Sequence, residues 1–296
     1  MTEIAEDILQ LGPEDGVVGL LSRPQKAATA GPRGSAMICL NAGVLHRVGP
    51  HRLHVELGRK LAAEGIPALR LDLSGIGDSR FGDSRDLGKM SFRDSAVADA
   101  RAAMDRLGQR ADRFVLFGLC SGADNALATA GADERVAAIV LVDPYSYATR
   151  RAQVRHLMTR VSSMPSPIDA VGWAARVALR EAKRRVARAS DAARSGDHPD
   201  HDTQTYQQGR EVPPLHVFGD QLTAVIDRGV RVLAIYSGSH GATYNHRDQL
   251  FEWFPHLRGR LDCRYHAKSN HTFTELRARR RLLDEVVAWT RSVRAR

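Results

Sequence analysis

The sequence predicts an α/β fold, with a mostly parallel central sheet, helices on both faces and a helical cap inserted between two strands. Three observations carry that expectation. Short apolar, β-branched runs alternate with longer amphipathic stretches, as happens when helices cross over between parallel strands. One such run, Arg113-Phe-Val-Leu-Phe117, passes through the glycine-bracketed corner Gly118-Leu-Cys-Ser-Gly122 straight into a helical stretch. The alternation then stops between residues 145 and 212, where the chain becomes Arg-rich and afterwards polar.

Taken in chain order, residues 7–11 and 17–22 flank Gly12-Pro-Glu-Asp-Gly16, a turn sequence that predicts an antiparallel hairpin at the sheet edge. The Ala/Gly/Pro stretch at 27–35 reads as a surface connection. Strands are expected at 36–40, 68–73, 114–118, 138–142, 230–236 and 261–267, several apolar enough to be covered on both faces. Helices are expected at 51–64, 92–107, 123–130, 215–228 and 273–294. In the last of these Leu282, Val286 and Trp289 recur on one face, as a docked terminal helix requires. The expected organisation is a core of residues 1–144 and 213–296 interrupted by a cap or lid at 145–212, in which no strand is expected. For residues 195–201 a partly disordered linker is the alternative.

At 296 residues and 32.5 kDa, with 43% hydrophobic residues, the chain is large enough to bury a sizeable core. It has no apolar run of the roughly 20 residues that a bilayer span needs. Residues 1–10 are acidic rather than a basic segment leading into an apolar one, so a soluble cytoplasmic protein is expected. Cys39, Cys120 and Cys263 are too widely spaced for a disulfide framework or a zinc cluster, and neither a metal nor a cofactor is expected. The net charge of +9 is concentrated at residues 150–188, where ten basic residues face only Asp169 and Glu181. That segment reads as a solvated helical face or as a rim attracting an anionic substrate or acidic carrier. Without an aromatic-interleaved basic motif, nucleic acid is not an expected partner. Oligomeric state is not legible.

The corner at 118–122 is where chemistry is expected. A nucleophile on so sharp a strand-to-helix turn is lifted above the sheet, and glycines two residues to either side avoid collision. Those glycines flank Cys120, whereas Leu119 and Ala123 hold the same places relative to Ser121, so the register selects the thiol. The positive end of the following helix stabilises an anionic sulfur, which suits attack on an ester or thioester carbonyl. The structural alternative is a small buried core cysteine. Leu71-Asp-Leu-Ser-Gly-Ile-Gly-Asp-Ser79 lacks the third glycine of a dinucleotide fingerprint, since position 80 is Arg80.

Together with His271-Thr-Phe273 after the last expected strand, these motifs resemble the α/β-hydrolase superfamily over nearly the whole chain. More narrowly, Leu40-Asn-Ala-Gly43, His46-Arg-Val-Gly-Pro50, Asp72-Leu-Ser-Gly-Ile-Gly-Asp-Ser79 and Gly118-Leu-Cys-Ser-Gly-Ala-Asp124 are similar to bacterial exosortase A system-associated hydrolases. A cysteine at the elbow also resembles dienelactone hydrolases and polyhydroxyalkanoate synthases. The resemblance implies a nucleophile, acid, histidine order, which makes His271 the base ahead of His46, His51, His54, His240 and His246. A helix-capping turn is the alternative role for His271. The acid usual after the seventh strand is missing, because Gly241 stands there; Asp143, at the end of the preceding strand, takes its place, with Asp248 a distant further candidate. A structural Asp-Pro turn is the alternative role for Asp143. The oxyanion is expected to meet the Ser121 amide and that of Gly43 or Val44, and Arg47 and Arg52 could bind a carboxylate or phosphate near the mouth. The implied activity is hydrolysis of esters or thioesters through an acyl-Cys120 intermediate. The alternatives are acyl transfer from an acyl carrier protein or coenzyme A to an alcohol or amine, and a catalytically degenerate binding protein.

Overall fold

The computed structural model describes residues 3–12, 16–25, 34–80, 92–164, 166, 172, 176, 205–207 and 210–294. In chain order the strands are β1 (Ile4–Leu11), β2 (Val17–Pro24), β3 (Gly34–Leu40), β4 (Ala68–Leu71), β5 (Ala111–Leu119), β6 (Val136–Val142), β7 (Thr205–Gln207), β8 (Arg210–Val212), β9 (Arg231–Ser237) and β10 (Asp262–His266). The α-helices are α1 (Leu53–Ala63), α2 (Phe92–Leu107), α3 (Ser121–Ala132), α4 (Arg150–Ser162), α5 (Leu215–Asp227), α6 (Leu250–Trp253) and α7 (Leu276–Arg294).

Eight strands form one sheet in the order β1-β2-β4-β3-β5-β6-β9-β10. The β1–β2 hairpin is antiparallel, as Gly12 to Gly16 predicts, and β2 joins β4 antiparallel; every other pairing is parallel. Side-chain alternation sorts β5 onto two cores. Phe114 and Leu116 pack with Ala100 and Met104 of α2 and Phe218 and Leu222 of α5. Val115, Phe117 and Leu119 pack with Leu57 and Leu61 of α1 and Leu282, Val286 and Trp289 of α7. Burial on both faces is why the central strands read as continuous apolar runs.

The departures from expectation are local. The helix expected from residue 51 begins at Leu53, because His51 and Arg52 hold positive φ angles of 49° and 64°. The terminal helix begins at Leu276 rather than 273, after Phe273 takes φ 49°. Within the expected cap, α4 is helical, but Thr205–Gln207 and Arg210–Val212 form a short antiparallel ladder, Thr205 opposite Val212, where no strand was expected. So short a pair carries too little periodicity to be legible. The expected linker at 195–201 and the basic residues from 180 to 188 lie outside the described residues. Among the described residues no helix is long and apolar enough to cross a membrane.

Candidate active site

The parallel strands end at one edge of the sheet, where crossover loops converge. Cys120 follows β5 there with φ 58° and ψ −122°, conformational space unfavourable to an L-residue, and serves as the N-cap of α3. The flanking glycines are sterically required. A Cβ on Gly118 would come within 2.0 Å of the Gly122 carbonyl oxygen, and one on Gly122 within 2.6 Å of that of Asn41. Cys120 is partly exposed, whereas Cys39 is fully buried and has its thiol pushed up to about 12 by burial.

His271 lies in the loop between β10 and α7. Its backbone N–H donates to Ser239 Oγ at 2.7 Å, and the adjoining turns are tied by Gly238 N–H to Ser269 O at 2.9 Å. Its Nδ1 is 2.7 Å from Asp143 Oδ2, and its ring hydrogen-bonds Cys120. With Nδ1 committed to Asp143, Nε2 is the nitrogen left for the thiol. Burial alone would lower the imidazole pKa; contact with Asp143, and then with Cys120, outweighs it and raises the value to about 9.

Asp143 is fully buried one residue beyond β6, at φ 47°. Ser237 donates to both carboxylate oxygens, backbone N–H to Oδ1 at 2.6 Å and Oγ to Oδ2 at 2.7 Å, and His240 Nε2 faces Oδ2 from 3.7 Å. Burial opposes ionisation, but the facing edges of His240 and His271 and the Ser237 donor hold the carboxyl below the usual carboxylate range. Asp248 is instead ion-paired with Arg247 and Arg258 at 3.6 and 3.8 Å. Of the two candidate acids, the fold brings only Asp143 to His271.

Ser121 begins α3, so its amide has no acceptor within the helix. Gly43 N–H donates to Ser121 Oγ at 2.8 Å, which puts the Gly43 amide beside the elbow, whereas the Val44 side chain is 87% exposed. Arg47 is committed elsewhere. Its guanidinium pairs with buried Asp72 and, at 2.6 Å, with Asp78, and its backbone N–H also donates to Asp72. The aspartate that opens the Asp-x-x-Gly-x-Gly-x-Ser loop is therefore a buckle between the turns after β3 and β4, and a Cβ on Gly77 would strike its carboxylate at 2.3 Å. Arg52 is exposed and makes no ion pair among the described residues.

Several contacts at the site were not predicted. Ser237, Ser239 and His240 come from one turn, Ser237-Gly-Ser-His240, whose only signal in sequence is its place after a strand. Arg210, on β8, donates through Nη1 to both Asp124 carboxylate oxygens at 2.9 and 2.8 Å and through Nη2 to Asp143 O at 2.9 Å. It thereby ties the end of the insertion to α3 and to the residue facing His271. Asp143, His240 and His271 also have donor atoms within 4.8 Å of one another. The 2.7 Å separation of Oδ2 from Nδ1 is a hydrogen bond, shorter than the roughly 3.3 Å between two ligands on one tetrahedral ion.

No family model matches the chain, and no curated protein matches it. Among solved structures it is similar to an esterase of Pyrococcus furiosus at 12% identity and a TM-score of 0.53, covering 99% of this chain and 92% of that one. It is similar to a Klebsiella pneumoniae protein assigned as a dienelactone hydrolase at 13% identity and a TM-score of 0.54, covering 97% and 98%. It is also similar to a dienelactone hydrolase-like promiscuous phosphotriesterase from metagenomic libraries, at 13% identity and a TM-score of 0.53, covering 98% of each chain. Sheet order and these likenesses define the class: the chain has the α/β-hydrolase fold.

Proposed function

We propose that the protein is a cysteine-dependent hydrolase of carboxylic esters or thioesters. The observation that carries this reading is the chain of contacts from Cys120, through His271, to buried Asp143 at 2.7 Å. The proton shared by the thiol and the imidazole rests on His271 Nε2, whose hold on it the Asp143 contact strengthens, as sulfur attacks the carbonyl carbon, and the Ser121 amide receives the developing oxyanion. The Gly43 amide joins it when the Ser121 hydroxyl turns aside. Collapse of the tetrahedral intermediate expels the alcohol or thiol, which leaves with the proton from His271. Water then gives a proton to His271 and attacks the acyl-thioester, releasing the acid and restoring the thiol. Asp143 holds the imidazole in the tautomer this sequence needs.

The descriptions of the structural neighbours, esterase and dienelactone hydrolase, favour ester hydrolysis. The resemblance to exosortase A system-associated hydrolases adds no substrate. We read residues 145–212 as a cap over the site, anchored by Arg210. A second reading, acyl transfer from an acyl carrier protein or coenzyme A, would draw on a cleft of about 610 Å³ at the start of α4, where Arg150 and Arg151 stand beside Arg155 and Arg258, the latter two paired with Glu252 and Asp248 of the same lining. The contact of Asp143 with His271 weakens the degenerate-binder reading, since it supplies the acid missing at Gly241.

The test is mass spectrometry of Cys120 after incubation with p-nitrophenyl esters and acyl thioesters, with and without an amine or alcohol acceptor. Acylation of Cys120 followed by release into water is the expected result. Absence of any adduct, with turnover unchanged in Cys120→Ala, would overturn the reading; release only with acceptor would replace it with acyl transfer.

A further inference from the structure

One buried polar group at the site has no task in the mechanism above. His240 sits in the 3-10 turn Gly238–His240 after β9, beside the position where the superfamily resemblance places the acid. Its side chain is only 6% exposed, and its Nε2 makes no hydrogen bond among the described residues. That nitrogen points at Asp143 Oδ2 from 3.7 Å, too far for a hydrogen bond, while Oδ2 already accepts from His271 and Ser237. The His240 ring also meets the His271 ring edge-on, with centroids 5.7 Å apart and planes at 84°.

We propose that His240 is a positioning residue for the acid–base pair, acting through Asp143: it directs an N–H at the carboxylate oxygen shared with His271 and fixes the plane of the His271 ring. The proposal rests on the catalytic reading of Cys120, His271 and Asp143. Two physical facts support it. His271 is held at Nδ1 by Asp143 and at its other nitrogen by Cys120, and an edge-on neighbour adds a contact against the ring that limits its rocking about those two bonds. In a site sheltered from water, an N–H dipole facing a carboxylate also draws off part of the potential that would otherwise stabilise the imidazolium. His240 therefore keeps His271 less basic than Asp143 and Cys120 alone would make it, and so better able to give its proton to the leaving group.

The titratable and charged groups around this pair come from several elements. Asp143 follows β6, His271 precedes α7, and Cys120 follows β5. Tyr236 and Tyr265 feel the Asp143 charge from β9 and β10. Arg210 reaches the Asp143 carbonyl from β8.

The test reads the His271 imidazole directly. Full-length protein with isotope-labelled histidine is titrated by NMR in a Cys120→Ala background, so that thiol ionisation does not mix with that of the ring. His240→Phe keeps the ring edge and removes Nε2; the expected result is a rise in the His271 pKa of about half a pH unit. His240→Gln, which retains a donor, should return it to the parent value. With Cys120 intact, His240→Ala should lower the acylation rate severalfold with KM unchanged, because the loss falls on aim rather than on substrate binding. A His271 pKa in His240→Phe equal to or below the parent, or a His240→Gln value that follows His240→Phe, would overturn the proposal. Should Phe fail to fold there, His240→Ala gives the same titration. Because the titration needs no substrate, it stands even if Cys120 is never acylated, which keeps the failure of this proposal distinct from that of the catalytic reading.

Discussion

Asp143→Asn isolates the carboxylate charge with little disturbance of the backbone, because Asn tolerates the positive φ of 47° that Asp143 adopts. The Ser237 backbone N–H, 2.6 Å from Oδ1, can only donate, so the Asn oxygen must take that place. The amide NH2 then replaces Oδ2 and faces His271 Nδ1. To avoid two opposed donors, His271 must carry its proton on Nε2, where it can no longer accept one from Cys120. Charge is lost as well. The rise of the imidazole from 6.5 to about 9 corresponds to roughly 3 kcal/mol at 1.36 kcal/mol per pH unit. Allowing for partial exposure of His271 and for the share due to Cys120, about 2 kcal/mol belongs to the carboxylate. That is about 30-fold in rate from charge alone, and the wrong tautomer extends the expected loss to between roughly 30- and 1000-fold. Stopped-flow acylation of Cys120 by an activated ester measures it. Stability gives a second reading. The folded imidazole value exceeds the unfolded one, so this contribution is fully present below pH 6.5 and is lost as pH rises through about 9; in Asp143→Asn that decline should shrink. A less than threefold change in acylation by a folded Asp143→Asn protein would refute the reasoning.

Glycine-to-alanine changes at the elbow should be graded by clearance. Gly118→Ala, facing backbone at 2.0 Å, should lower the urea midpoint and the acylation rate more than Gly122→Ala at 2.6 Å, and equal effects would contradict a steric cause. Arg210 and Asp124, with side chains 10% and 8% exposed, form a buried pair that anchors the insertion. Removing one partner, as in Arg210→Met, should cost about 3 kcal/mol, and the double variant with Asp124→Leu should recover part of it, measured as a double-mutant cycle. His54 is fully buried with both ring nitrogens unpartnered among the described residues, and burial, then the charge of Arg70, lower its pKa to about 4. The unfolded value of 6.5 is higher, so its stability contribution is present above pH 6.5 and is lost as pH falls toward 4. Between pH 7 and 4.5 the parent should lose about 2 kcal/mol more than His54→Leu in urea unfolding.

The amino-acid sequence by itself determined the local features. Apolar strands separated by amphipathic helices specify the layered sheet, because burial on two faces leaves a continuous apolar run and burial on one leaves a stripe. Glycines at 118 and 122 locate the corner, because no larger side chain clears the neighbouring backbone. Only the tertiary structure decided the rest, because it depends on which loops the sheet order brings together. Asp143 and His271 are 128 residues apart, and they meet because the parallel order β6-β9-β10 brings the loops after β6 and β10 to the same edge of the sheet. Arg47, open in sequence to a role at the mouth, is drawn to Asp72 instead, since a buried carboxylate is a stronger partner than solvent. His240 and Arg210 had no distinguishing motif, because a contact across the sheet edge leaves no period in the chain.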